Sequence, residues 1–485
     1  MQTIKENRYF LIILLGLVLL NALVWNWGDF GVERKLFEDG TYTDDGALYD
    51  KIARNIIERG VFSDDDSVKK SQTEPLYPLI IAGVYKLFGP QQDALRILNL
   101  IIFCISAILF YFLARSLLGY EKIARVSAII FAFCYPLVDE VGQIHREVIF
   151  IFLILLLAWF IYKGQRTGEK KWFFVSGIIL GLAILLNAIV QLLPLFILAW
   201  FVYFHRKQFK TLFFWKRVIL FMLGLLIIVT PWIMRDFFKE GKLESVTPKG
   251  GLMLFRRVEI MDGVKNNFWS HLIGQTTGYY FVQKFDPDVD IRKLQEHSLV
   301  VDLAKKIRNS DKEYQDVEGQ LIKNALKEII NNPGLLVAAS LLDFIRLNSP
   351  VLPYVSILPV KTFSTKEVDI LFAQGRWNHV PNYIKASFLI FVRLAWLLFF
   401  TLVIYGVIKS KNKLSVLGPI LLLIIYFNLF YSLIHGIPRY AYPIYPFYIM
   451  FFVAGGFALY TKFFRRNSHH TGQAKLSQEM TQGSK

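Results

Sequence analysis

Two adjacent carboxylates, Asp44 and Asp45, follow the first apolar stretch of the chain. A carboxylate held beside a hydroxyl group acts as a general base, because it accepts the proton that the oxygen loses as it attacks a carbon atom. The pair precedes a segment in which Leu48, Ile52 and Ile56 recur at helical spacing. An aspartate at the start of such a helix also caps its first backbone N–H groups. We expect the pair to share both roles.

A single arginine, Arg439, lies just ahead of the last apolar stretch. A guanidinium binds phosphate through two N–H groups and stabilises the negative charge that collects on a phosphate leaving group. The alternative interpretation is a membrane anchor that reaches towards lipid headgroups. His435 begins the same turn and Tyr440 ends it. A histidine in this setting is more typical of a membrane interface than of catalysis.

A third charged group lies in a short turn between two apolar stretches, where Asp139 and Glu140 precede His145, Arg146 and Glu147. Charges at the end of a membrane span need water or a partner. In the functional interpretation, Glu147 helps to position a sugar, a metal ion or an acceptor. A structural ion pair of Arg146 with Glu147 or with Asp139 is an equally good interpretation.

The rest of the first polar loop predicts surface structure. Residues 64–66 are three consecutive aspartates, which are typical of a solvated turn. Glu74 precedes an apolar run that contains Tyr77 and ends at Gly89 and Pro90. This run is short for a span and begins with prolines, so it predicts a second helix at the membrane surface.

The composition indicates a membrane protein. Of 485 residues, 54% are hydrophobic and only 19% are charged, and the mean hydropathy is +0.41. The net charge of +17 comes from Lys and Arg clusters in short loops, which is typical of cytoplasmic loops, so we expect no nucleic-acid partner. Cys104 and Cys134 lie inside apolar runs and predict neither a disulfide nor a zinc site.

Apolar runs predict an all-α polytopic membrane protein of about ten or more transmembrane helices, with interfacial helices and an extracytoplasmic α-rich or mixed insertion. The predicted spans are 9–27, 94–117, 123–138, 148–162, 172–186, 189–204, 218–234, 384–408, 414–434 and 442–464. If these spans alternate, the basic loops share one side. That side is then cytoplasmic and holds both termini, while the acidic loops face outwards.

The spans divide the chain into four parts. Residues 1–234 form an N-terminal transmembrane module whose first outer loop, 28–93, is the expected catalytic loop. Residues 235–383 form an extracytoplasmic domain or elaborate loop, with a helix near 311–330 and an amphipathic segment at 334–347 that predicts an interfacial helix. Residues 384–464 supply the C-terminal transmembrane helices, and residues 465–485 a cytoplasmic disordered tail.

Four local features together resemble the GT-C integral-membrane glycosyltransferases, and most closely the branch of protein O-mannosyltransferases and lipid A aminoarabinose transferases. The features are Asp44-Asp45, Pro75-Leu76-Tyr77-Pro78, Thr230-Pro231-Trp232 and Pro438-Arg439-Tyr440. The resemblance rests on the order of these features along the chain and on their expected position on the same side of the membrane. It covers most of the membrane region, is best from residue 44 to residue 118, and leaves residues 235–383 unplaced.

The resemblance implies an inverting transfer of a sugar from a polyprenyl-phosphate donor to a hydroxyl acceptor, which is a lipid, a glycan or a protein. It also implies a site on the extracytoplasmic face. We further expect membrane lipids as partners, and the composition and short cytoplasmic loops favour the bacterial inner membrane as the location. No cofactor is required, or else a divalent metal is used, as in some relatives. The implied roles are catalysis by Asp44 or Asp45, donor-phosphate binding by Arg439 and Tyr440, and substrate positioning by Glu147, Arg146, Tyr77 and His435.

One departure concerns the donor phosphate. Some relatives have a basic residue just ahead of the Pro-Leu motif, where this chain has Glu74. Lys69 or Lys70 is the nearest substitute.

Two other classes of protein remain open. A transporter or flippase for a lipid-linked sugar would place ionisable residues in the middle of spans. The charges in this sequence lie mostly at span ends. A glycan polymerase or ligase would use the same donor and the same outer face, and is harder to separate from a transferase.

Overall fold

The structure, a computed structural model, describes residues 7–27, 44–63, 73–204, 206–208, 210–240, 250–276, 282, 314–349 and 382–482. In these ranges all regular secondary structure is helical. The protein is thus an all-α polytopic membrane protein, as the apolar runs predict.

The α-helices of the described ranges are numbered here in chain order. They are α1 (Arg8–Trp27), α2 (Asp44–Arg59), α3 (Leu76–Phe88), α4 (Gln92–Leu118), α5 (Glu121–Ala132), α6 (Tyr135–Asp139), α7 (Glu147–Thr167), α8 (Lys170–Leu186), α9 (Leu193–Phe204), α10 (Leu212–Glu240), α11 (Gly250–Thr276), α12 (Tyr314–Asn331), α13 (Pro333–Leu347), α14 (Asn382–Lys409), α15 (Leu414–Ile434) and α16 (Tyr445–Gln482). Short 3₁₀ turns include Glu140–Gly142, Ala188–Leu192 and Pro438–Ile444.

Seven apolar segments of the described chain are long enough to cross a membrane: Arg8–Trp27, Gln92–Leu118, Glu147–Thr167, Leu212–Arg235, Ile390–Lys409, Lys411–Ile434 and Pro438–Phe463. The other three predicted spans coincide with shorter helices. The span predicted at 123–138 is divided between α5 and α6, because the chain leaves the helical conformation at Cys134 and restarts at Tyr135. The spans at 172–186 and 189–204 fall on α8 and α9, which Asn187 separates in an extended conformation.

Helices are present at both places where the sequence predicted a surface helix in the loop 28–93, as α2 and α3. The helices predicted near 311–330 and 334–347 are also present, as α12 and α13. Residues 322–331 and α13 meet at a bend of 99°, since Pro333 disfavours helical geometry at Asn332 before it. The last helix continues to Gln482, whereas the sequence predicted a disordered tail after residue 464. Residues 465–482 contain no proline and only one glycine, so they hold few helix breakers.

Small residues allow two helix pairs to pack backbone to backbone. A Cβ atom on Gly177 of α8 would lie 2.0 Å from the carbonyl oxygen of Phe221 in α10. A Cβ atom on Gly406 of α14 would lie 2.0 Å from the carbonyl oxygen of Phe451 in α16. Close approach of this kind is how helices associate in lipid, where burial of apolar surface gives no driving force.

Candidate active site

The guanidinium of Arg439 lies at the centre of the candidate site. Its Nη2 donates to Oδ2 of Asp45 at 2.5 Å, its Nε forms an ion pair with Oε1 of Glu147 at 3.2 Å, and its Nη1 lies 3.1 Å from Nε2 of His145. Asp45 lies at the start of α2, while His145 and Glu147 lie together at the start of α7. Together with the turn that carries Arg439, three segments far apart in the sequence therefore meet in the helix bundle.

His145 extends this contact to a third carboxyl group. Its Nδ1 lies 2.8 Å from Oε2 of Glu140. The imidazole is therefore contacted at both nitrogens, by Arg439 at Nε2 and by Glu140 at Nδ1, and these contacts fix its orientation. Burial alone would lower the pKa of His145, but Glu140 outweighs that effect and raises the pKa above its usual value. Burial raises the pKa of Glu140, and the neighbouring His145 opposes that rise.

Asp45 is held in its ionised form. The protein atoms around this half-buried side chain would alone raise the pKa of the carboxyl group, but Arg439, and to a smaller degree His145 and Arg146, outweigh that effect. The resulting pKa of Asp45 is well below its usual range. The carboxylate is therefore ready to accept a proton, and it becomes a stronger base when Arg439 turns to another anion.

A second ion pair supports the first. Nη1 of Arg146 lies 2.7 Å from Oε2 of Glu74 and donates to the carbonyl oxygen of Leu186 at 3.0 Å. The other carboxylate oxygen of Glu74 accepts from the N–H of Ala188 at 3.4 Å. The structural ion pair of Arg146 is thus made with Glu74, and the interpretations that paired it with Glu147 or Asp139 were wrong. The pair joins the loop before α3 to the ends of α7 and α8.

Two tyrosines border the carboxylates. The rings of Tyr49 and Tyr77 pack edge to face with centroids 5.0 Å apart. Tyr77 is 2% exposed, and its hydroxyl has no hydrogen-bond partner among the described residues. That hydroxyl lies near enough to Glu147 for the carboxylate to act on it electrostatically. At the edge of the site it is a polar group that none of the described residues binds.

The remaining predicted site residues fall into two groups. Tyr440 stacks on Tyr431 with ring centroids 4.6 Å apart, and buried His435 lies beside Tyr440 rather than in the carboxylate cluster. Only the backbone of Asp44 is described, so its predicted role stays a prediction. Lys69 and Lys70, like residues 64–66, lie outside the described residues.

Sequence reasoning gave Glu140 and His145 no role. The only signal for them was their position in the charged turn before α7, five residues apart. The fold turns that spacing into a contact because the 3₁₀ turn at Glu140–Gly142 folds the chain back on itself.

The Glu140, His145 and Glu147 side chains also have the types and spacing of a metal site. One ligand atom from each lies within 4.8 Å of the others. Two carboxylates and an imidazole suit a divalent cation such as Mn²⁺. The guanidinium of Arg439, however, already contacts Glu147 and Nε2 of His145. A cation would therefore have to replace the guanidinium at these atoms.

Comparison with known proteins places the chain near membrane glycosyltransferases. A family model described as dolichyl-phosphate-mannose-protein mannosyltransferase matches residues 71–234. An uncharacterised protein of Aquifex aeolicus (strain VF5) is 24% identical over 142 residues, which are 29% of this chain and 28% of that protein.

Solved structures show a related fold. The oligosaccharyltransferase AglB of Archaeoglobus fulgidus, in complex with an inhibitory peptide and a dolichol-phosphate, aligns with 97% of this chain at a TM-score of 0.50 and 12% identity. The chain spans about half of the length of that protein, 52%. ArnT of Cupriavidus metallidurans bound to undecaprenyl phosphate aligns with 93% of this chain and 77% of its own length, at a TM-score of 0.39 and 12% identity. The family model over residues 71–234 and the fold shared with AglB agree with the resemblance to GT-C glycosyltransferases seen in the sequence.

Proposed function

We propose that this protein is an inverting glycosyltransferase, which moves a sugar from a polyprenyl-phosphate donor to a hydroxyl group of a lipid, glycan or protein acceptor. The observation that carries the proposal is the convergence of Asp45, Glu147 and the Glu140–His145 pair on the single guanidinium of Arg439. The family match over residues 71–234 supports the same reaction class. We place the site on the extracytoplasmic face of a bacterial inner membrane, with both termini in the cytoplasm.

The reaction is a single displacement. The acceptor oxygen attacks the anomeric carbon, and Asp45 takes the proton that this oxygen loses. The bond between the anomeric carbon and the phosphate oxygen breaks on the opposite face, and its electron pair leaves with the polyprenyl phosphate. Attack and departure on opposite faces invert the anomeric configuration. Arg439 stabilises the charge that collects on the leaving phosphate.

Donor binding and base activation are coupled through Arg439. When the donor phosphate draws the guanidinium towards itself, Asp45 loses its strongest positive neighbour. The pKa of Asp45 then rises, and the carboxylate becomes a stronger base only after the donor is in place. Glu147 and His145 keep contact with the guanidinium from the other side and limit its movement.

Arg439 supplies the positive charge of this mechanism, and no step depends on a metal ion. Should a divalent cation bind, Glu140, His145 and Glu147 would hold it, and it would supply further positive charge beside the leaving group.

The test is incubation of the purified protein in lipid nanodiscs with radiolabelled polyprenyl-phosphate sugars and candidate acceptors. The expected result is a glycosylated acceptor of inverted anomeric configuration, together with free polyprenyl phosphate. Movement of labelled donor across liposomes without any covalent product would identify a transporter or flippase. Products that grow by repeated sugar units on a lipid carrier would identify a polymerase or ligase. A product of retained configuration would contradict the single displacement.

A further inference from the structure

Helices α11, α12 and α13 have an apolar core that is separate from the core of the helix bundle. Met261 and Val264 of α11 pack there with Ala339 and Leu342 of α13, and α12 meets α13 at the bend of 99°. These helices belong to residues 235–383, which the resemblance leaves unplaced. What they do for the site depends on how α13 is attached to the bundle.

A buried ion pair fixes α11 to α13. The side chain of Arg257 is 1% exposed, and Asp343 is 4% exposed. Nη1 of Arg257 lies 2.8 Å from Oδ2 of Asp343, and its Nη2 donates to Oγ of Ser340 at 2.7 Å. Since each charge would be costly to bury without the other, the pair holds Asp343 in a fixed place on α13.

Asp343 also contacts the chain just before Arg439. A Cβ atom on Gly436 would lie 2.3 Å from the carbonyl oxygen of Asp343 and 3.1 Å from its Cβ atom. The backbone of Gly436 also forms a hydrogen bond with the Asp343 side chain. The backbone of this segment therefore rests on the backbone of α13, with no side chain between the two.

Close approach, and not backbone conformation, explains a glycine at position 436. Gly436 is buried and does not have a positive φ, so other residues would adopt its backbone conformation without strain. The atoms that a new side chain would meet belong mainly to the backbone of a helix, which cannot turn aside as a flexible side chain does. A larger residue at this position therefore pushes the segment away from α13.

A shift at Gly436 reaches Arg439 because the three residues between α13 and the guanidinium form a stiff turn. Pro438 fixes its own φ angle, and the N–H of Tyr440 donates to the carbonyl oxygen of Ile437 at 3.0 Å. The turn that begins at Pro438 also packs against α13 directly. The turn therefore moves as one piece and carries Arg439 with it.

A second contact holds α13 against the helices on either side of that turn. The side chain of Asn348 donates to Oδ1 of Asn428 in α15 at 2.7 Å and accepts from the hydroxyl of Tyr448 in α16 at 2.9 Å. The indole of Trp396 in α14 donates to its carbonyl oxygen. Asp343 and Asn348 thus attach α13 to the bundle at two points.

We propose that α11 and α13 position the guanidinium of Arg439, and that Asp343 and Gly436 pass on their placement to it. This inference rests on the proposed function, in which Arg439 stabilises the leaving phosphate. Asp343 and Gly436 act through Arg439, so they are positioning residues. Residues 235–383 thereby acquire a part in the reaction.

The test compares Gly436→Ala with Gly224→Ala in the full-length protein in nanodiscs. Gly224 of α10 is a matched control, because a Cβ atom there would also lie 2.3 Å from a helix carbonyl oxygen, that of Phe174 in α8. Each change is also made together with Arg439→Gln. The measurements are the unfolding temperature, and kcat and KM per folded protein for the radiolabelled polyprenyl-phosphate sugar that the wild type uses.

Both glycine variants should unfold at a lower temperature than the wild type, because each forces two packed backbones apart. Gly436→Ala should lower kcat about a hundredfold, since a charged group displaced by about 1 Å no longer fits the transition state. Gly224→Ala should leave kcat nearly unchanged. Together with Arg439→Gln, Gly436→Ala should lower kcat no further, because the group that it displaces is already absent.

A second comparison needs no substrate. Asp45→Asn is added to each glycine variant, and the further fall in unfolding temperature is measured at neutral pH. The fall should be smaller with Gly436→Ala than with Gly224→Ala, because the displaced guanidinium has already lost its contact with Asp45. A general loss of packing would not produce this difference.

Three outcomes would overturn the inference and leave the proposed function standing. They are equal kcat in the two glycine variants of an active protein, a further hundredfold loss from Gly436→Ala when Arg439 is already Gln, and an equal effect of Asp45→Asn in the two glycine variants. A wild type that transfers no sugar would instead contradict the proposed function. The Asp45→Asn comparison would then still decide whether α13 places Arg439.

Discussion

Nη2 of Arg439 lies 2.5 Å from Oδ2 of Asp45, although 394 positions separate the two residues in the chain. The contact joins the beginning of α2 to the 3₁₀ turn at the start of the last span. Each residue limits what the other can do: Arg439 keeps Asp45 ionised, and Asp45 occupies one edge of the guanidinium. A phosphate bound to this guanidinium would compete with the carboxylate, so the proposed mechanism links donor binding to base strength.

We propose both a structural and a catalytic role for Arg439, and a pair of variants separates the two roles. Arg439→Gln should lower transfer by about a hundredfold or more, because the charge on the leaving phosphate is no longer stabilised. The same change should lower the unfolding temperature, since Glu147 is left buried without its cation. In Arg439→Gln/Glu147→Gln the unfolding temperature should recover while transfer stays low. Recovery of transfer in the double variant would show that Arg439 only neutralises Glu147.

The lowered pKa of Asp45 predicts a particular dependence of stability on pH. A carboxylate whose pKa is lower in the folded than in the unfolded state stabilises the fold above the unfolded pKa, and that contribution is lost as the pH falls towards the folded pKa. The difference in unfolding temperature between wild type and Asp45→Asn should therefore be constant from about pH 5 to 8 and shrink below about pH 4. A difference that changes between pH 6 and 8 would mean that another group controls it.

The Glu74–Arg146 pair should matter for folding more than for chemistry. Glu74→Gln leaves a buried guanidinium without its carboxylate and should destabilise the protein by about 3 kcal/mol. Glu74→Gln/Arg146→Met should recover most of that loss, measured as unfolding temperature in detergent. If the double variant is less stable than the single one, Arg146 has a further partner that matters more than Glu74.

The overlap of the guanidinium with a potential metal site predicts how the protein responds to Mn²⁺. Because Arg439 contacts two of the three ligands, Mn²⁺ should raise the unfolding temperature of the wild type little. It should raise that of Arg439→Gln more, and adding Glu147→Gln should abolish the gain. A large Mn²⁺-dependent rise in the wild type would contradict the assignment of the positive charge to Arg439.

Local patterns in the sequence predicted the all-α fold class. They also predicted the helices α2, α3, α12 and α13, because the periodicity of apolar residues and the length of an apolar run depend on neighbouring residues only. The positions of Asp45, Glu147 and Arg439 at span ends indicated that they could meet. The partner of Arg146 could not be predicted in this way. Glu74 is 72 positions away, and the pairing depends on how α3, α7 and α8 pack.

The packing of α11 against α13 shows the same limit. Arg256 and Arg257 are adjacent in sequence, yet Arg257 forms an ion pair with Asp343 and Arg256 forms none with the described residues. Local sequence gives both the same expectation of a solvated cation. Only the packing of α13 against α11 decides which guanidinium finds the carboxylate.

The most direct test of Asp45 as the base compares wild type with Asp45→Asn in nanodiscs. The measurement is the rate at which each protein releases polyprenyl phosphate from a radiolabelled donor when acceptor is present. Both proteins should bind the donor and have similar unfolding temperatures at neutral pH once Arg439 is bound to phosphate. The wild type should release polyprenyl phosphate and form product, and Asp45→Asn should do so about 10²–10⁴-fold more slowly. Turnover by Asp45→Asn at the wild-type rate would show that Asp45 is not the base.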